Sequence, residues 1–109
     1  APLAMASTGW QLFLVAVAIV VAAPLAEELL FRGLLFRALG RHFGTITAAV
    51  LSSAVFASLH PQLPWGFPNL FATAMVLALV YRATGSLVPC IIIHALNNGA
   101  VLAFMLAVR

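Results

Sequence analysis

Four long apolar segments dominate this sequence, and its two acidic residues, Glu27 and Glu28, lie side by side within the first of them. Of the 109 residues, 65% are hydrophobic and 6% are charged, whereas soluble domains contain about 45–50% apolar and about 25% charged residues. All five basic residues are arginines, and the net charge is +3. These values exclude a soluble domain, a disordered chain and a protein that binds nucleic acid through a basic face. We therefore expect a protein embedded in the lipid bilayer.

The apolar segments predict an all-α, polytopic membrane protein, an antiparallel bundle of four transmembrane helices that forms one domain over residues 1–109. The predicted helices run from Trp10 to Ala26 with a continuation through Leu34–Leu39, from Thr45 to His60, from Pro68 to Tyr81, and from Leu87 to Val108.

Glycine, proline and serine mark the predicted helix ends. Gly40 and Gly44 bracket the end of the first helix, and His60 is pushed out of helical geometry by the proline that follows it. Pro68 suits the first turn of the third helix, and Ser86 is the predicted N-cap of the fourth.

Pro24 interrupts the first segment just before the two glutamates. It cannot donate a hydrogen bond to the carbonyl of Val20, so we expect either a kink or the start of a new helical segment there. In the second case, Glu27 and Glu28 occupy the first turn of a helix, where negative charge is favoured.

The arginines predict the orientation in the membrane. The first and third loops contain Arg37, Arg41 and Arg82, while the second loop has no charge, so the positive-inside rule places the first and third loops in the cytoplasm. Arg109 falls on the other side. The start, Ala-Pro-Leu-Ala, lacks a Met and a positively charged region, so we expect no secretory signal there. The Lys-free composition, rich in Ala and Arg, favours a bacterial cytoplasmic membrane.

Four polar residues from three predicted helices fall at a similar depth. Counted from the arginine-rich end at 1.5 Å per residue, Glu27 and His60 lie roughly 21 and 22 Å up their helices. His94 and Asn98 lie roughly 12 and 18 Å up the fourth helix. Ionisable groups are costly inside a hydrocarbon core of about 30 Å and usually mark a functional site.

Helical spacing divides these polar residues into pairs. Glu28 and Arg32 are i,i+4 neighbours within reach of a salt bridge, and His94 and Asn98 project from one face in the same way. Glu27 is turned about 100° from Glu28, so the two carboxylates cannot have the same role, and one can pair with Arg32 while the other faces a cavity.

At these residues the chain resembles a known family. Glu27–Arg32 matches the EExxxR motif of the CPBP intramembrane proteases, which include CAAX proteases and bacteriocin-processing enzymes. Phe56–His60 matches their FxxxH motif, and His94–Asn98 matches their HxxxN motif. Members usually have several further helices, so the resemblance implies that this chain is the catalytic core of a larger bundle.

The resemblance implies hydrolysis of peptide bonds within the membrane. Carried over, Glu27 is the general base, His60 is its partner on the attacking water, and His94 and Asn98 hydrogen-bond the oxyanion. Glu28 and Arg32 would support the first helix as an ion pair. The expected partners are the bilayer and a membrane-associated peptide or protein substrate, prenylated or not, and no cofactor is favoured.

Other functions stay open at this point. Glu27, His60 and His94 form a known zinc ligand set, so a zinc metalloprotease is an alternative. A bacteriocin-immunity protein without enzymatic activity is a second, and an ion or proton conduit is a third. Cys90, one turn before His94, is suited to a thiol mechanism, but a buried cysteine more often serves packing.

Overall fold

The computed structural model describes residues 8–60 and 65–108, within which there are four helices and no strands. They are α1 (Gly9–Phe43), α2 (Thr45–Ser58), α3 (Phe67–Thr84) and α4 (Leu87–Val108). The predicted all-α fold is confirmed. The chain start, the proline after His60 and Arg109, which were used in the predictions above, lie outside the described residues.

The first helix, α1, is continuous over 35 residues. It starts at a capping box in which Thr8 Oγ1 accepts from the Gln11 backbone N–H and Gln11 Oε1 accepts from the Thr8 backbone N–H, both at 3.1 Å. The predicted end of α1 between Gly40 and Gly44 is confirmed, and the helix passes through Gly40. It ends at Gly44, which adopts φ 84° and so has a conformation that favours glycine. A Cβ atom on Gly40 would lie 3.9 Å from Ala48 Cβ, so this glycine lies where α2 approaches α1.

Two stretches of α1, Ala18–Ala22 and Leu29–Phe36, are wound as wider π-helical turns. The first is followed without interruption by the α-helical stretch Ala23–Glu28, which contains Pro24 as its second residue. No new helix begins at this proline. The two glutamates therefore lie in the interior of a long helix and not in a first turn.

Three of the helices, α1, α3 and α4, are long and apolar enough to cross a membrane. The structure differs from the prediction in α2, which has 14 residues and a length of about 21 Å, less than the hydrocarbon core of about 30 Å. It ends at Ser58, with Leu59 as its C-cap, because the approaching X-Pro pair disfavours helical geometry. The chain is a multi-pass integral membrane protein.

Small side chains let α2 lie between α1 and α3. Its buried residues are small with one exception, and they are Ala48, Ala49, Ser52, Ser53, Phe56 and Ala57. Phe36 and Ala78 pack at the Ala48 end, while Phe31 and Ala74 pack around Phe56. Such rows of small residues allow close approach of helices in membranes. The end of α2 consequently lies beside the glutamates of α1.

The starts of α3 and α4 follow the predicted local signals. Pro68 lies in the first turn of α3, and Gly85 ends that helix at φ 66°. Ser86 Oγ accepts from the backbone N–H of Val88 at 3.2 Å, as expected of an N-cap. The helix α4 then runs back along α1 and α3.

Candidate active site

A cavity of about 270 Å³ opens where all four helical segments approach one another. Glu27, His60, His94 and Asn98, the four residues predicted for catalysis, all line it. The rest of the lining is mostly apolar: Ile19, Ala23, Phe56, Leu70, Thr73, Asn97, Val101, Leu102 and Met105. The fold thus brings together the polar residues that the depth estimate placed at a similar level.

The carboxylate of Glu27 lies between two imidazole rings. Its Oε1 is 3.2 Å from His94 Nε2, and its Oε2 is 3.7 Å from His60 Nε2. The Glu27 side chain is 29% exposed, whereas that of His94 is 5% exposed. Because Glu27 lines the cavity and is partly exposed, its carboxylate is accessible to water.

The second glutamate, Glu28, is fully buried and has two partners on one oxygen. Its Oε2 accepts from Arg32 Nη1 at 2.9 Å and lies 2.7 Å from His94 Nδ1. Arg32 Nη2 also donates to the carbonyl of Ala74 at 2.9 Å. The ion pair anticipated from the i,i+4 spacing is present, and it also links α1 to α3 and α4.

Both nitrogens of His94 face carboxylate oxygens, Nδ1 toward Glu28 and Nε2 toward Glu27. Ionised carboxylates only accept hydrogen bonds, so this arrangement suits an imidazole with N–H groups on both nitrogens. In that state two positive groups, His94 and Arg32, lie among two negative ones. Burial of the four charges is then compensated within the cluster.

His60 is held differently. Its Nδ1 lies 2.7 Å from the carbonyl of Phe56, so Nδ1 is the N–H donor, and Nε2 is directed toward Glu27. This contact with a carbonyl near the end of α2 also orients the ring into the cavity.

Phe56 is a residue whose role the sequence reasoning missed. Its ring centroid lies 4.4 Å from that of His60 and 6.0 Å from that of His94. The guanidinium carbon of Arg32 lies 5.1 Å from the same ring. The i,i+4 spacing to His60 is the signal that could have indicated this aromatic contact. Thr73 and Asn97 also add polar groups to the cavity wall, and Asn97 could have been found from its i,i+3 spacing to His94.

The amide of Asn98 donates from Nδ2 to the carbonyl of Ile19 at 2.8 Å. Pro24 explains why this carbonyl is available. The N–H of Ala23, four residues after Ile19, donates to Ala18 instead, and the residue five positions after Ile19 is the proline, which has no N–H. Asn98 thus compensates for a backbone donor that the α1 sequence lacks, and one N–H of its amide group remains for other partners.

The residues that would serve the two alternative mechanisms, a thiol nucleophile and a zinc site, have different surroundings. Cys90 is buried, donates weakly to the carbonyl of Leu77 at 3.4 Å and does not line the cavity. Both cavity histidines have Nδ1 engaged and Nε2 directed at Glu27, which is also how neighbouring groups orient histidines that bind metals. Within residues 8–60 and 65–108, however, no group of three His, Cys, Asp or Glu side chains has the arrangement of a metal site.

Comparison with known proteins agrees with the motifs. Residues 9–100 match the family model described as "Type II CAAX prenyl endopeptidase Rce1-like". The chain is also 37% identical over 92 residues to the "Membrane-embedded CAAX protease MroQ" of Staphylococcus aureus (strain USA300), a match that covers 79% of this chain and 37% of that protein. The chain thus spans little more than a third of the relative's length. No solved structure matches. Since the family model covers most of the chain, the protein belongs to the type II CAAX prenyl endopeptidase Rce1-like family.

Proposed function

We propose that this protein is an intramembrane endopeptidase that hydrolyses peptide bonds of membrane-associated substrates with a glutamate-activated water. The observation that carries the proposal is the position of the Glu27 carboxylate, which faces a cavity of a membrane-embedded bundle and lies between the Nε2 atoms of two histidines. A base must be within hydrogen-bond reach of the water that it deprotonates, directly or through one further contact.

In the proposed reaction, Glu27 and His60 hold the attacking water. The water oxygen forms a bond to the carbonyl carbon of the peptide while its proton passes to the Glu27 carboxylate. The carbonyl oxygen becomes an oxyanion that accepts hydrogen bonds from His94 Nε2–H and from the free amide N–H of Asn98. The C–N bond then breaks as the proton moves from Glu27 to the leaving nitrogen. Preorganised donors aimed at a developing oxyanion typically contribute the largest electrostatic stabilisation.

Glu28 and Arg32 act in this proposal through His94 and not on the substrate. Glu28 Oε2 binds His94 Nδ1, and Arg32 holds that carboxylate while also bonding to α3. Such a contact fixes which imidazole nitrogen faces the cavity and keeps its N–H in place. The two residues are positioning residues in this scheme.

The family description supports a proposal for the substrate class. The matching family is described as a prenyl endopeptidase family, and the relative is named a CAAX protease. We therefore propose a peptide whose anchor lies in the membrane, with a lipidated cysteine near the scissile bond as the first choice. A cavity with a mostly apolar wall is compatible with an apolar substrate segment.

The test is cleavage of defined peptides by the full chain in liposomes. Peptides ending in a Cys-aliphatic-aliphatic-X sequence, prenylated and unprenylated, are incubated with wild type and with Glu27→Gln, and the products are identified by mass spectrometry. We expect cleavage by wild type and a loss of at least about 10³-fold in Glu27→Gln, since both base and proton donor are removed. His60→Gln should also lose activity, while the matched control His42→Gln, an exposed histidine that does not line the cavity, should not.

Several outcomes would contradict the proposal. Wild type that cleaves neither peptide, nor any membrane peptide in a proteomic comparison with Glu27→Gln, would favour a non-enzymatic immunity protein. Dissipation of a pH gradient across the same liposomes, abolished by Glu27→Gln, would favour a proton conduit. Cleavage of the unprenylated peptide alone would contradict the proposed lipidated substrate but not the protease activity.

A further inference from the structure

A second cavity, of about 400 Å³, lies at the end of the bundle away from the glutamates, and the proposed reaction does not use it. Arg37, Arg41 and Arg82 all line it, and each of these side chains is exposed. Neither acidic residue of the chain lines this cavity. Three of the five basic residues thus converge on one concave surface, called here the arginine pocket, without a carboxylate to neutralise them.

One of the three arginines is oriented by the neighbouring helix. Arg82 Nε donates to Thr45 Oγ1 at 3.2 Å, which joins the end of α3 to the start of α2. That bond uses only Nε. The two terminal nitrogens of the guanidinium group, which form the fork that binds planar or tetrahedral anions, remain for a ligand.

The start of α2 lies at the arginine pocket. Thr45, the first residue of α2, lines the pocket, and its N-cap residue Gly44 has no side chain to accept from the first turn. The first N–H groups of a helix lack partners within the helix and favour an anion.

The position of the arginine pocket indicates which anion is present next to it. It is formed where α1 and α3 end, and both are long and apolar enough to cross the membrane. Their ends therefore lie at the level of lipid headgroups, where phosphodiesters are concentrated. We propose that the arginine pocket binds the phosphate of an anionic phospholipid headgroup, through Arg37, Arg41 and Arg82. This proposal is independent of the proposed protease activity.

Lipid binding by the purified full chain tests the proposal. The chain in a neutral detergent is titrated with phosphatidylglycerol or phosphatidylcholine, and bound lipid is counted by native mass spectrometry. We expect a preference for phosphatidylglycerol of about tenfold or more, which falls to near unity in the double variant Arg37→Gln/Arg41→Gln. Both side chains are exposed and the Arg82–Thr45 bond is kept, so this variant is expected to fold. His42→Gln, next to Arg41 but outside the pocket lining, is the matched control and should keep the preference.

Variants and competitors distinguish this pocket from general surface charge. Arg37→Lys/Arg41→Lys keeps the charge but loses the bidentate geometry, so we expect it to recover only part of the preference. Full recovery with lysine, or an unchanged preference in the glutamine variant, would overturn the proposal in favour of unspecific attraction. Equal binding of both lipids by wild type would also overturn it. Displacement of the lipid by millimolar inorganic phosphate would show that the ligand is free phosphate and not a headgroup.

Discussion

The two adjacent glutamates, although identical in chemistry, have different surroundings. Glu28 is fully buried and shares one oxygen between Arg32 and His94, while its other oxygen is buried without a hydrogen-bond partner in the described part of the chain. Glu27 is partly exposed to the cavity. The 100° rotation between successive helical residues is the origin of this difference. One carboxylate is directed to the packed interior, and the other to the cavity.

We expect changes at these residues to affect different properties. Glu28→Gln and Arg32→Ala should each lower the free energy of unfolding by about 3–5 kcal/mol, because each leaves a buried charge without its partner. Glu27→Gln keeps the shape of a partly exposed side chain and should hold or raise the melting temperature while cleavage falls. Thermal melting in detergent, beside the peptide assay, measures both properties.

A double variant provides the control for the ion pair. Glu28→Gln/Arg32→Ala should lower the free energy of unfolding by less than the sum of the two single changes, because the second change removes the charge that the first left unpaired. If the losses in free energy of unfolding are additive, the two side chains stabilise the protein independently of each other. Arg32 would then act through its bond to Ala74, and Glu28 through its contact with His94. A Glu27→Gln protein that unfolds beside a stable but inactive Glu28→Gln protein would reverse the proposed roles.

We expect cleavage to persist after exhaustive chelation. His94 Nε2 lies at hydrogen-bond distance, 3.2 Å, from Glu27 Oε1, and Asn98 beside it in the cavity has an amide, which is a good hydrogen-bond donor but a poor zinc ligand. The measurement is peptide cleavage before and after dialysis against a chelator, with metal content determined by mass spectrometry. Stoichiometric zinc in the active protein, with activity lost on chelation and restored by zinc, would establish the metalloprotease alternative.

At the scale of the helices, the π-helical turn before Pro24 couples the backbone of α1 to Asn98 on α4. We expect Pro24→Ala to supply an N–H that competes with Asn98 for the freed carbonyl of Ile19. The amide of Asn98 would then lose its anchor, and cleavage should fall by about tenfold or more, while the melting temperature holds or rises because proline in a helix interior costs up to about 3 kcal/mol.

The matched control for this change is Pro68→Ala. Pro68 lies in the first turn of α3, where a backbone N–H has no helical partner, so little should change. Asn98→Ala serves as the reference for complete loss of the amide. A Pro24→Ala protein with full activity would show that the bond from Asn98 to Ile19 is not needed for the reaction.

At the scale of the whole molecule, the arginines set the expected orientation. The arginine pocket lies at the end of the bundle that contains the turns at Gly44 and Gly85. The positive-inside rule therefore places this end of the bundle in the cytoplasm. Trp65, 91% exposed, lies between α2 and α3 at the opposite end. The active-site cavity would consequently open toward the outer half of the membrane.

Labelling of single cysteines checks this orientation. In a Cys90→Ala background, Trp65→Cys should react with a membrane-impermeant maleimide added to intact cells, while Thr84→Cys should react only after permeabilisation. Both sites are exposed in the structure, so a difference in labelling reports sidedness. Labelling of Thr84→Cys alone in intact cells would invert the assignment.

Much of this architecture could be predicted from local patterns. Apolar length indicates which segments cross the bilayer, and the positive φ of Gly44 and Gly85, with Pro68 and Ser86, follows from backbone chemistry that acts within one turn. The i,i+4 spacing of Glu28 and Arg32 predicted their bond because both residues belong to one rigid helix.

Contacts between helices could not be predicted in this way, because they depend on how each helix is rotated about its axis and how closely it packs. The bond from Glu28 to His94, the anchoring of Asn98 on Ile19 and the contacts of Phe56 with His60 join residues on different helices or beyond a helix end. The close approach of α2 to α1 at Gly40 likewise depends on packing between neighbouring helices. Spacing along the chain indicates which residues share a face, whereas only the packed bundle establishes which residue that face meets.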